Sequence, residues 1–146
     1  MQVIGFNFTK ISAERIKDKN PTNISTNIKF EDIVKEEILL LKDKSTLKIS
    51  FDFQVDYEAT LKKEEKENIA KLSFSGNIIL TTEEEEFKII TKNWKKKEIQ
   101  PDLKDALINL IIKKCTIRAL DLEDQLNLPS HLPFPIAKTQ VKENIK

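Results

Sequence analysis

The sequence predicts an α+β domain in which a four-stranded antiparallel sheet is followed by two helices. Three observations predict it. Residues 46–57 and 69–81 alternate apolar and polar side chains with period two, the pattern of half-buried strands. Strand patterns fill the first 82 residues and helical patterns the rest, an order that argues against alternating βαβ units. Finally, Pro101 opens a long stretch with apolar residues at helical spacing.

The elements follow in order. Ile4, Phe6 and Phe8 share one face, whereas Ile11 and Ala13 take the opposite parity, so a bulge near Thr9 is expected. Pro21 breaks the connection, and Ile24, Ile28 and Phe30 restart a strand. Glu31 to Leu41 fits either a bulged strand or a helical turn and is taken here as strand, with Asp43-Lys44-Ser45 as the next turn. In 46–57, Leu47, Ile49, Phe51, Phe53, Val55 and Tyr57 alternate with Lys48, Ser50, Asp52, Gln54 and Asp56. The charges of Thr60 to Asn68 alternate in sign, as in a solvated hairpin loop. The next strand sets Ala70, Leu72, Phe74, Ile78 and Leu80 on one face with Gly76.

Thr82 and Glu85 read as a capping box, and Glu83 to Glu86 suit the positive start of a helix. Phe87, Ile90 and Trp94 recur at helical spacing, and Lys95-Lys96-Lys97 suit its end. A second helix is expected from about Asp102 to Leu126. One stripe is Ile108, Ile112, Cys115, Ala119, Leu122 and Leu126. Leu103, Ala106, Leu110 and Ile117 lie roughly opposite. A helix covering one sheet needs a single stripe. The second stripe therefore predicts an oligomer with the helices sandwiched between two sheets, and Leu103, Ala106, Leu110 and Ile117 are the expected interface. Residues 1–137 form the single domain, and 138–146 read as a flexible tail.

Composition narrows the function. The net charge is +1, from 25 basic and 24 acidic residues, and only 2 of the basic residues are Arg. Neither fact favours nucleic acid as a partner. Lys48 and Lys71 on a polar sheet face lack the exposed aromatic pair that an RNA-binding sheet needs. With glycine only at positions 5 and 76, no phosphate-binding loop can be built. One cysteine and one histidine do not make a zinc site, and Cys115, inside an apolar stripe, reads as a structural thiol. Asp52 and Asp56 read as ordinary wet surface. No convergent catalytic set emerges, so neither enzyme activity nor a cofactor or metal is expected. The first residues do not read as a signal peptide, and no run approaches ~20 apolar residues, so a cytoplasmic protein without membrane insertion is expected. His131 lies among Pro129, Pro133 and Pro135, in a stiff segment that either straps the core or edges a groove.

The order of four strands and two helices, with Leu126-Asn127-Leu128-Pro129 at the helix end, resembles the SecB family of export chaperones. Gly5 to Glu14, Asn93 to Ile99 and Leu122 to His131 are similar to the SecB-like proteins of archaea in particular. The resemblance implies a dimer-of-dimers tetramer that holds unfolded or nascent polypeptide in apolar grooves without nucleotide. It places the client between the connection after the first strand and the long helix. Phe6, Phe8, Ile24 and Ile28 would line one side, and Leu120, Leu128, Leu132 and Phe134 the other, with Leu122 and Leu126 as core. The basic tail, Val141 to Lys146, lacks the zinc motif of bacterial SecB, so the resemblance does not extend to partnership with SecA. The expected function is an ATP-independent holdase. The alternative is an oligomeric adaptor for one folded partner, as in antitoxin control.

Overall fold

A computed structural model describes residues 1–36, 45–62 and 65–133. Its sheet comprises β1 (Gln2–Arg15), β2 (Asn23–Lys35), β3 (Ser45–Thr60) and β4 (Lys66–Thr82), followed by α1 (Glu84–Trp94) and α2 (Pro101–Gln125). All neighbours are antiparallel, and the order is β1-β4-β3-β2. The predicted sheet and both helices are present.

The alternation read in the sequence becomes the two faces of the inner strands. Leu47, Ile49, Phe51, Phe53, Val55 and Tyr57 are buried, and so are Leu72, Phe74, Ile78 and Leu80 of β4. The polar residues between them form the opposite face, where Ser75 donates to Asp52 at 2.5 Å. That bond, with nearby Lys10 and Lys29, outweighs partial burial and holds the Asp52 carboxyl below its ordinary range. The β3–β4 strands run further into their hairpin than expected, to Thr60 and from Lys66, because charged residues can pair their backbones while their side chains stay wet.

The bulge near Thr9 is found between Phe8 and Lys10, and a second one lies between Val3 and Gly5. Gly76 sits opposite Phe8, where an added Cβ would overlap the Asn7 carbonyl oxygen and press on the Phe51 ring. In β2 the register shifts between Phe30 and Asp32 and the strand ends at Lys35, short of the expected Leu41: Glu36 is not strand, and residues 37–41 lie outside the described residues.

Two helical expectations need correction. Thr82 does not cap α1: it ends β4, paired with Ser45 and buried, and Glu83 takes the cap position without a side-chain bond. In α2 the buried row is Leu103, Leu107, Ile111, Cys115, Ala119 and Glu123, one residue in four. Each step of four turns the side chain about 40° around the helix, so the row spirals as α2 crosses a twisted sheet. A straight two-stripe pattern misses this. Leu103, assigned to a subunit interface, is core of its own chain at 6% exposure, whereas Ala106 and Ile117 are exposed and Leu110 is half-buried against the core. Among the described residues, no helix is long and apolar enough to cross a membrane.

Candidate functional site

The sheet order decides which candidate residues can share a site. β1 and β2 are opposite edges, three strand spacings or roughly 14 Å apart. Phe6 and Phe8 therefore lie on one flank, and Ile24 and Ile28 on the other, so a single groove wall made of all four is not formed. Sequence alone missed this because β1 and β2 are consecutive in the chain, and consecutive strands usually neighbour each other. All four side chains face the helices and are half-buried against the core.

On the β2 flank the chain builds a groove of roughly 610 Å³. Ile28 and Phe30 of β2 form one wall. Trp94 at the end of α1, Ile99 of the α1–α2 connection and Ile108 of α2 also line it, together with Lys29, Glu31, Lys97, Glu98 and Lys104. Trp94 is fixed on both sides. Its indole N–H donates to Asp32 at 3.3 Å, and the Lys97 ammonium lies 4.6 Å from the ring centre. Lys97 gets there because, three residues past the end of α1, it takes the left-handed region, φ 59°, while Lys97 N–H bonds the Trp94 carbonyl and Glu98 N–H that of Asn93. This is the Schellman closure normally made by glycine, which this stretch lacks.

The wall strand is also a sheet edge. β3 occupies one side of β2, and no described strand occupies the other. An open row of backbone donors and acceptors thus runs beside a trough lined by five apolar and five charged residues, which is the arrangement an extended polypeptide can join as a further strand. Of the expected groove residues, Ile28 lines this trough. Phe30, Trp94, Ile99 and Ile108 were not assigned to it from the sequence. The lone Trp just before a left-handed turn was the available signal, but its helical spacing with Phe87 and Ile90 made it look like ordinary core.

The α2 end carries a second polar constellation. The Glu123 side chain, 2% exposed, receives the Tyr57 hydroxyl, the His131 backbone N–H at 2.8 Å and the His131 Nδ1 at 3.0 Å. Burial and the adjacent carboxylate push the Tyr57 hydroxyl far above its ordinary range, so it remains a donor. The His131 ring meets Phe53 edge-on, 6.1 Å between centres. Residues 126–131 are thus a strap over the core. Leu128, expected to be exposed, is buried at 7%, because a second Schellman closure at Asn127, φ 53°, turns the chain inward. Leu120, Leu122 and Leu126 are half-buried, Leu132 is exposed, and Phe134 lies outside the described residues.

Cys115 is buried, and desolvation pushes its thiol up to about 12, so it is not a nucleophile at neutral pH. Among the described residues, no three His, Cys, Asp or Glu side chains gather as a metal site.

Two of the comparisons are empty: no family model and no curated protein matches the chain. Solved structures do match, and one of them belongs to the SecB-like chaperones. It is Rv1957 of Mycobacterium tuberculosis, in complex with a ChAD peptide from the Rv1956 HigA1 antitoxin, with 12% identity, a TM-score of 0.46 and coverage of 94% of this chain and 91% of that one.

Proposed function

We propose that this protein holds extended polypeptide without nucleotide, as a chaperone of unfolded or nascent chains. The observation that carries the proposal is the open edge of β2 running beside the trough of Ile28, Phe30, Trp94, Ile99 and Ile108. Strand addition supplies backbone bonds indifferent to sequence. The trough takes alternate apolar side chains, and dispersion and burial do the rest. The motif resemblance to SecB described above supports the same reading.

The protein acts as an oligomer in this reading. Ile117 is 66% exposed on α2, and Ile4 and Ile11 are 42% and 50% exposed along β1, a second open edge. A second copy covering these surfaces would remove apolar area from water.

Aggregation of several unrelated denatured proteins, followed without ATP, tests the holding activity. Wild type should delay all of them, and Phe30→Ser, at a half-buried edge position, should weaken the effect several-fold while the far-ultraviolet spectrum is retained. Trp94 fluorescence should shift on addition of an extended apolar peptide. Binding of a single folded protein, with no effect on denatured clients, would favour an adaptor instead.

A further inference from the structure

Glu123 is the one charged side chain among the buried described residues. It occupies the sixth place in a row whose other members, Leu103, Leu107, Ile111, Cys115 and Ala119, are apolar. The row turns acidic where residues 126–131 cross beneath it. Two of the three donors to its carboxylate belong to His131, and the third is Tyr57 of β3. From β1, Arg15 donates to the carbonyls of Leu126 and Asn127, each at 2.9 Å. Polar bonds from β1 and α2 therefore fasten a segment whose apolar anchorage is Leu128, the half-buried Leu126 and the contact of one imidazole with Phe53, while Tyr57 of β3 holds the Glu123 carboxylate in place.

A buried carboxylate fixes geometry but contributes little net stability compared with an apolar residue of similar size. Such a fastening opens more readily than the sheet it lies on. Beneath it, Phe53 stacks on Phe74, Phe74 meets Phe8, and Phe8 meets Phe6, an unbroken aromatic row. We propose that residues 126–132 are a releasable autoinhibitory strap, fastened by Glu123, which covers the Phe53 end of this row and opens to admit an apolar segment of client polypeptide. Only the identity of the admitted segment rests on the polypeptide-holding reading. The release itself does not.

Native-state amide exchange of the full chain tests it, because the Leu128 N–H bonds the Glu123 backbone carbonyl and the His131 N–H bonds the Glu123 carboxylate, so both are released when the segment lifts. These two amides should exchange through a local opening, insensitive to low denaturant and roughly tenfold or more faster than those of β3 and β4. Glu123→Gln should accelerate them further, leave β3 and β4 unchanged, and raise binding of the apolar dye anilinonaphthalene sulfonate. Should Leu128 and His131 exchange only together with β3 and β4, the segment is fixed core and the strap proposal falls. That outcome is decisive from wild type alone, even if the Glu123 variant does not fold. A peptide that leaves Trp94 fluorescence unchanged would count against the β2 groove and not against the strap.

Discussion

Tyr57 shows what a single environment does to a side chain. Its hydroxyl donates to Glu123 inside the core, and its folded titration lies well above the ordinary value of 10.0. Such a shift favours the native state while the unfolded chain keeps its proton. Stability from this site is therefore fully present below pH ~10 and is lost as the pH rises above it, where only unfolded tyrosine ionises. Because Tyr57 is the one tyrosine, absorbance at 295 nm should show no phenolate until the protein unfolds, and then a cooperative step. A smooth titration near pH 10 in folded protein would contradict the buried bond. Gly76 gives a second residue-scale outcome. A methyl group there meets β1 backbone, which cannot rotate away as a side chain could. Gly76→Ala should lower stability by about 1–3 kcal/mol, as overpacking does, visible as a shifted urea midpoint.

At the scale of elements, the α1–α2 connection is set by Lys97 in a left-handed conformation. Holding a non-glycine residue there costs about 1–2 kcal/mol, whereas an exposed cation over an indole returns about 0.5–1 kcal/mol. Lys97→Gly should therefore raise the melting temperature by a few degrees while reducing client binding at Trp94. A fall in melting temperature would mean that the ring contact outweighs the strain. The strands were legible in the sequence because their period is local: β3 and β4 follow the 46–57 and 69–81 alternation through their cores. The row on α2 was not, because its spiral reflects the twist of a sheet that one helix cannot reveal. Nor was the groove. Phe30, Trp94 and Ile108 are separated by 64 and 14 residues and meet only because β2 is an edge strand and α1 ends beside it. Glu123 looked like any surface acid, since nothing nearby in sequence announces a tyrosine 66 residues away.

The whole molecule is asymmetric in what it leaves uncovered. Its polar sheet face is wet, its core face is roofed by two helices, and both edge strands stay open among the described residues. Ile117, Ile11 and Ile4 remain exposed in a single chain. Light scattering after size exclusion should give a dimer or tetramer at micromolar concentration. A homogeneous species of 16.9 kDa would remove the assembly from the proposed function.

The sheet order also sets a timetable for folding. β3 and β4 form a hairpin from neighbouring segments, and β2 can join as soon as its neighbour exists. The pairing of β1 with β4 instead brings Asn7 to Asn77, across 70 residues. Closing such a loop is slow compared with making a hairpin. During synthesis β1 therefore emerges before the strand it needs, and its two phenylalanines stay without a partner surface until β4 has been made. A protein proposed to shelter incomplete chains thus passes through the same exposed state as its clients. Substitutions in β1 should speed unfolding more than they slow folding, the kinetic mark of a strand that docks last.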